Sequence, residues 1–319
     1  MIKDEDLMRT IMTLSVRPYY RRRSRMKKKV SSILFALVFL VGLGIFIYPT
    51  LSNQWNKLHQ SKIIESYDEM VVQLDETDFE ELWTQAESYN QSITQNTFDG
   101  DAFSQEEQNL RGTEYWLALN LSDDGIIGYI SIPKINQKLP IYHGTSDSVL
   151  QIGVGHLSGT KLPIGGEGTH SVLAGHRGLP SAKLFSDIDQ LENGDMFYIH
   201  VLDEVLAYKV DLILPMIDKN DYEALTEALQ VVEGEDYVTL FTCTPYGVNS
   251  HRLLVRGTRV AYEGEEDVAV ENPNTMLESV KDYYMLYVVL VVAIALFIAI
   301  LIMIIKKMVS VRKNKGGRK

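Results

Sequence analysis

The stretch Asp236-Tyr-Val-Thr-Leu-Phe-Thr-Cys-Thr-Pro-Tyr-Gly-Val-Asn-Ser-His-Arg-Leu-Leu-Val-Arg-Gly-Thr-Arg-Val260 contains Cys243, the only cysteine in a chain of 319 residues. A β-rich run, Tyr237 to Phe241, leads into that cysteine. Pro245, Gly247 and Asn249 then mark a turn, and a second β-rich run opens at Arg252. The spacing predicts a hairpin that carries a thiol at the end of one strand and a guanidinium at the start of the next. One cysteine forms no intrachain disulfide, so Cys243 is either a buried bystander or a reactive group, and reactivity depends on nearby positive charge.

Upstream of the hairpin, Gly128 to Ile132, Lys138 to Tyr142, Thr169 to Gly175, Met196 to Val201 and Val205 to Leu214 read as further short strands. With Tyr237 to Phe241 and Leu253 to Val260 the pattern gives seven strands. Val149 to Gly155 reads as a short helix or turn, and Ala182 to Leu191 and Tyr222 to Leu229 as short amphipathic helices. Many short strands separated by turn signals point to a barrel or a sandwich. Residues 52 to 120 have a different character. Trp55, Leu58, Ile63, Ile64, Met70, Val71, Leu74, Phe79, Leu82 and Trp83 recur at three- and four-residue steps, the signature of helices. A polar loop at about 90–104 interrupts them, and a loop of that length is either a lid or a disordered connection.

Two apolar runs bracket these segments. Ile33 to Tyr48 follows Arg21-Arg22-Arg23 and Lys27-Lys28-Lys29, and Tyr284 to Ile305 precedes Lys306-Lys307. The second is about 20 residues long, the length a bilayer core requires. The first is read as an uncleaved signal anchor, since no small-x-small cleavage site follows it. Residues 1–30 carry ten Lys/Arg against three acids, and the tail from Lys306 carries seven Lys/Arg and no acid. Such flanks predict that both termini are cytoplasmic and that the middle of the chain is outside. That middle holds fourteen basic side chains against thirty-nine acidic ones, within a net charge of -11 for the whole chain. So acidic a middle excludes a nucleic-acid footprint.

A reactive Cys243 needs a base, and seven histidines are available. His176 ends the apolar run Ser171-Val-Leu-Ala-Gly and precedes Arg177-Gly178, which suits the mouth of a site. His251, within the hairpin itself, is the second candidate. Arg252 is placed to stabilise an oxyanion or to hold an extended peptide by its carbonyls. Arg256, at the same strand parity, and Arg259, at the opposite one, are its controls. No His-x-x-x-His or Cys-x-x-Cys spacing occurs, so no metal site is expected.

Thr239-Leu-Phe-Thr-Cys243 followed by Arg252 resembles the Thr-Leu-x-Thr-Cys signature of sortases, the membrane-bound transpeptidases of Gram-positive bacteria. Ala174-Gly-His-Arg-Gly178 is similar to the sortase histidine segment. Thr242 to Arg256, Gly155-His-Leu157 and Ala182-Lys-Leu-Phe185 resemble the class C, pilin-polymerising branch. The resemblance covers residues 125 to 262. It implies a mainly β fold, a closed eight-stranded sortase-type β-barrel with short helices, an N-terminal helical and lid region, and two flanking transmembrane helices. It also implies Cys243 as nucleophile, His176 as general acid and base, Arg252 as third member, and Thr242 as a substrate-positioning or oxyanion residue. The implied reaction cuts a Leu-Pro-x-Thr-Gly-like sorting signal between Thr and Gly through a thioester on Cys243. The acyl group then passes to a lysine amine of a neighbouring pilin. No cofactor and no metal are implied. Class C sortases carry a lid with an Asp-Pro-aromatic motif. Here Asp101-Ala-Phe103 stands in that place, with Asp101 set to pair with Arg252 and Phe103 to cover Cys243. Ala102 replaces the usual proline, which frees the backbone.

The chain thus divides into a basic tail (1–30), a signal anchor (31–51), a helical region with the lid (52–124), the barrel (125–262), an acidic linker (263–282), a second span (283–305) and a basic tail (306–319). The expected location is the cell membrane, with the catalytic part extracellular. The expected partners are pilin subunits and, through the two spans, membrane lipid. Two other readings stay open: a housekeeping-type sortase that anchors proteins to peptidoglycan, and a non-catalytic membrane-tethered adhesion or scaffolding domain. A papain-like protease does not fit, because its histidine follows its cysteine.

Overall fold

The structure, a computed structural model, describes residues 3–97, 101–103, 110–264, 266, 288–289, 291–293, 295–297 and 299–300. Contacts divide the chain into two units, Pro49–Val280 and Met1–Tyr48 with Lys281–Lys319. In the first unit, β1 (Ile126–Ile132), β2 (Gln137–His143), β3 (Val154–His156), β4 (Thr169–Ala174), β5 (Met196–Val201), β6 (Glu204–Asp218), β7 (Asp236–Thr244) and β8 (His251–Val260) close into a barrel. The order around it is β1-β2-β3-β4-β7-β8-β6-β5. Two pairings, β2 with β3 and β4 with β7, are parallel, and the rest are antiparallel. All eight strands contribute to one core: among others Ile130, Leu139, Val154, Leu173, Ile199, Leu206, Leu240 and Leu253 meet inside the closed sheet. Burying this interior is the main source of stability.

The sequence pattern yields seven strands because β3 is only three residues long, too short for alternation to register. The segment before it splits into a helical turn, α4 (Asp147–Leu150), and this strand. β6 runs past its expected end at Leu214 to Asp218, because irregularities at Val210/Leu212 and Leu214/Ile217 break the period of two. The amphipathic reading of Ala182 to Leu191 does not become an α-helix. Leu184 sits at φ 41°, in the left-handed region, and only a 3-10 turn forms at Ile188–Gln190. Ala182, Leu184, Phe185, Ile188 and Leu191 are all buried, so their spacing reflects burial rather than helix.

α1 (Lys3–Gln73), α2 (Glu76–Ser92) and α3 (Glu114–Leu117) precede the barrel, and α5 (Tyr222–Ala228) lies between β6 and β7. The end of α1 docks on the barrel. Ile64, Tyr67 and Val71 pack with Ile126, Tyr129 and Tyr142. The Tyr67 hydroxyl donates to the Ile127 carbonyl (3.0 Å) and accepts from the Leu202 N–H (2.8 Å). α2 starts at a capping box in which Asp75 and Asp78 each accept from the other's backbone N–H, worth about 1 kcal/mol. Within α1, Leu37–Gln73 contains a window of mean hydropathy 1.4 with none of it buried, long and apolar enough to cross a membrane. The expected second span at 283–305 and most of the acidic linker lie largely outside the described residues.

The stem of the 90–104 loop is well anchored. The Asn90 side chain donates to the Leu162 carbonyl (3.1 Å) and accepts from the Leu162 N–H (2.7 Å). The Asn96 amide donates to the carbonyls of His170 (2.8 Å) and Leu229 (2.7 Å). Both asparagines are buried, so these bonds satisfy groups that would otherwise be costly to bury.

Candidate active site

Strand register brings three of the expected residues together. Cys243 in β7 lies opposite Arg252 in β8. β4 runs parallel to β7 with Ala174 opposite Phe241, and the Gly175 N–H donates to the Phe241 carbonyl (3.0 Å). His176 is two residues beyond Ala174, as Cys243 is two beyond Phe241. Side chains two apart share a face. His176, Cys243 and Arg252 therefore form a row across the ends of β4, β7 and β8. The row lies on the face opposite the barrel interior, continuing the line of Ala174, Phe241 and Leu254 in a second apolar cluster.

Residues 101–103 cover this row. Arg252 Nε donates to Asp101 Oδ1 (2.8 Å) and Nη2 to Asp101 Oδ2, a bidentate pair. Nη1 donates to the carbonyls of His251 (2.8 Å) and Asn249 (3.1 Å). The Phe103 ring stacks on His176 (centroids 5.4 Å apart, planes at 25°), leans on Phe241 (5.8 Å), and has the Arg252 guanidinium 5.3 Å from its centre. Ala102 packs into the second cluster. Cys243 is 6% exposed beneath this cover.

The electrostatics follow. Burial pushes the Cys243 thiol up from 9.0 to about 11. Arg252 and, less strongly, Lys219 oppose the rise, and Asp101 adds to it. The thiol is protonated at neutral pH in this arrangement. Burial also holds His176 below its ordinary 6.5, and Asp147 in α4 acts against that. With the carboxylate of Asp101 in place, the Arg252 charge is matched by a neighbour rather than left for a substrate.

The competing candidates are placed elsewhere. His251 alternates with Arg252 and bonds Ser250 (2.8 Å). Arg256 pairs with Asp211 (2.6 Å) and lies 4.0 Å over the Tyr237 ring, while Arg259 faces Asp236 (3.7 Å). His143, His156 and His170 are buried in structural bonds, to Gly125 and Ala118, to Tyr115 and Lys161, and to Gln230 and Thr239. Thr242 points away from the row into the barrel, where its hydroxyl donates to the Gly175 carbonyl (2.6 Å). That bond ties β7 to the backbone just before His176. Gly175 is needed there, because a Cβ would lie 2.7 Å from the Phe185 ring.

Sequence reasoning missed two residues. Asp147 has no motif of its own; its place at the start of α4 becomes meaningful only when β3 brings α4 towards His176. Arg177 is quoted only as part of the histidine segment. It donates to Thr244 Oγ1 (3.2 Å) and pairs with Asp189, while its Nε is buried without an acceptor. Among the described residues no cluster of His, Cys, Asp and Glu is arranged to hold a metal ion.

A closed β-barrel with a thiol, an imidazole and a guanidinium aligned at its rim is an acyl-transfer architecture. Residues 130–260 match the model of the sortase domain. Sortase C of Streptococcus pneumoniae is 46% identical, with 63% of this chain and 97% of that one aligned at a TM-score of 0.58. Sortase C1 of Streptococcus agalactiae is 46% identical over 63% of this chain and 100% of that one, at a TM-score of 0.56. Sortase A of Bacillus anthracis is 25% identical over 75% of this chain and 99% of its own length. The chain belongs to the sortase family, whose members are cysteine transpeptidases.

Proposed function

We propose that this protein is a class C sortase, a membrane-anchored transpeptidase that polymerises pilin subunits, with Cys243 as nucleophile, His176 as acid and base, and Arg252 as the cation at the oxyanion. The observation that carries the reading is the row of these three side chains at the ends of β4, β7 and β8, with the Arg252 guanidinium gripped by Asp101. In the reaction the Cys243 thiolate attacks the threonine carbonyl of a Leu-Pro-x-Thr-Gly-like signal. Arg252, with backbone N–H groups, stabilises the developing oxyanion. The His176 imidazolium protonates the departing glycine amine, leaving a thioester. A pilin lysine amine attacks the thioester, His176 takes its proton, and an isopeptide bond forms as the thiolate leaves. Residues 101–103 act as a lid: Asp101 holds Arg252 and Phe103 covers His176 until the signal peptide displaces them.

The membrane part of the proposal is a tether through the apolar segment of α1, a second span at 283–305, both termini in the cytoplasm and the barrel outside. Its support is the apolar window of α1 and the basic flanks at both ends of the sequence.

The test is product analysis in cells that carry this sortase alone. Wild-type protein gives covalent pilin ladders whose cross-link, read by mass spectrometry, joins the signal threonine to a lysine. Cys243→Ala, His176→Ala and Arg252→Ala each abolish them, because groups that act as a unit fail together. Transfer to a peptidoglycan stem amine in preference to the pilin lysine would instead establish the housekeeping reading.

A further inference from the structure

The end of α1 that docks on the barrel has two unlike sides. One side bonds backbone groups near the site. Asn53 Oδ1 accepts from the Lys183 N–H (2.9 Å), the Asn56 amide donates to the Ser181 carbonyl (2.8 Å), and the Gln60 amide donates to the Ile152 carbonyl (2.9 Å). Ile64, Tyr67 and Val71 continue that side along the barrel. Leu51, Trp55 and Leu58 recur at steps of four and three residues, which sets them on the opposite side of the helix. They are 47%, 69% and 59% exposed. Trp55 is steadied there by His59, whose ring stacks on it (centroids 6.4 Å apart, planes at 19°). An exposed apolar stripe on an ordered helix calls for a partner.

The residues around the stripe show what that partner is. The stripe is confined to the turns nearest the apolar run. Beyond Leu58 the same side continues as Lys62, Glu65 and Glu69, all exposed. The apolar run Ile33 to Tyr48 has sixteen residues. As helix it rises about 24 Å, short of the roughly 30 Å of a bilayer's hydrocarbon core. Continuing to Trp55 adds about 10 Å. That makes up the shortfall and brings an indole ring to the headgroup level, where tryptophan is favoured.

We propose that Leu51, Trp55 and Leu58 are seated in the headgroup interface of a lipid bilayer and hold the active-site rim of the barrel at the membrane surface. This rests on the reading of α1 as a tether and goes beyond it, because a tether alone leaves the height of the site unset. The link to the site is a chain of bonds. Asn53 and Asn56 hold the loop that follows His176. That loop is closed on itself: the Phe185 N–H donates to the His176 carbonyl (3.1 Å), and the Gly178 N–H to the Ser186 hydroxyl (3.1 Å). Asn53 comes five residues after Tyr48, so the chain lets the bonded loop stand at most about 18 Å from the end of the apolar run. Gln60 adds a second hold, two residues beyond the end of α4.

The experiment uses full-length protein in phosphatidylcholine–phosphatidylglycerol vesicles whose acyl chains are brominated near the headgroup end. Wild-type protein is compared with Trp55→Phe, an exposed position whose change leaves the core intact, so the difference isolates Trp55 from Trp83 and Trp116. Bromine should remove most of that difference in emission, and aqueous acrylamide little of it. Trp55→Phe/Lys62→Trp moves the ring to the charged turn on the same side and should reverse the two. A dye on Cys243, the only thiol, reports the height of the site. Its energy transfer to a headgroup-labelled lipid should fall in Leu51→Ser/Trp55→Ser/Leu58→Ser. Quenching of Trp55 by acrylamide and not by bromine, in protein that floats with the vesicles, overturns the inference alone, and so does equal energy transfer in the serine variant. Shielding of Trp55 that grows with protein concentration in detergent, without bromine quenching, assigns the stripe to a second copy of the chain and also overturns it. Failure of the wild-type protein to float with the vesicles overturns the tether reading, and this inference with it.

Discussion

Asp101→Ala tests how the lid controls the nucleophile. In the closed structure the Cys243 thiol is pushed up from 9.0 to about 11, chiefly by burial, and Asp101 adds to the rise while Arg252 opposes it. Removing the carboxylate deletes one unfavourable charge and frees Arg252, whose Nε and Nη2 both bind Asp101. It also leaves a buried guanidinium unpaired, at a cost of about 3–5 kcal/mol if nothing moves. Opening of residues 101–103 returns that charge to water, so opening is the cheaper response. The thiol then returns to about 9 or below. A fall of two units raises the thiolate fraction about 100-fold at neutral pH, and the weaker intrinsic nucleophilicity of the more acidic thiol gives back about tenfold. The reaction of Cys243 with an aromatic disulfide at pH 7.5 should therefore accelerate about tenfold, with a further gain from steric access. The assay is the release of the chromogenic thiolate, followed from pH 6 to 10. An unchanged rate and an unchanged pH profile would show that residues 101–103 do not govern the thiol.

Two more expectations follow from the same geometry. Burial holds His156 near 3 and His170 near 4, so both are neutral in the fold, and the unfolded chain binds more protons as pH falls. Their contribution is present above the ordinary 6.5 and is lost as pH falls from there towards the folded values of about 4 and 3; by pH 4.5 the loss is about 2–3 kcal/mol each. Melting temperature should fall over that window, and His170→Gln should flatten the slope. Gly175→Ala places a methyl 2.7 Å from the Phe185 ring. It should cost about 1–3 kcal/mol of stability in denaturant titration and lower kcat more than KM, because the backbone that carries His176 is what must shift.

The hairpin was legible because its signals are local. Alternation from Tyr237 to Phe241, turn residues at Pro245 and Gly247, and the run from Leu253 gave both strands, and the structure extends them by a few residues. The continuous helical pattern before the barrel appeared as α1 and α2 for the same reason. Local signals failed where tertiary contacts override them. β3 exists because its neighbours β2 and β4 complete its backbone bonds, not because three residues prefer a strand. Ala182 to Leu191 has helical spacing, but the chain follows the barrel surface with Leu184 in a left-handed conformation. Thr242 belongs to the signature, yet alternation turns it inward, where its partner is Gly175.

What the sequence determined by itself was chemical inventory and order: one thiol, a histidine after an apolar strand, an arginine opening the next strand, a short acidic-aromatic segment far upstream, and basic apolar flanks. These are properties of neighbours along the chain. What only the tertiary structure decided was how those groups face one another: Cys243 lies opposite Arg252 in the antiparallel ladder of β7 and β8, and β4 runs parallel to β7 with His176 just beyond its end. Asp101 joins them from 151 residues away. No local propensity encodes such a distance. It is fixed by closure of the barrel and by the buried pair that Asp101 makes with Arg252.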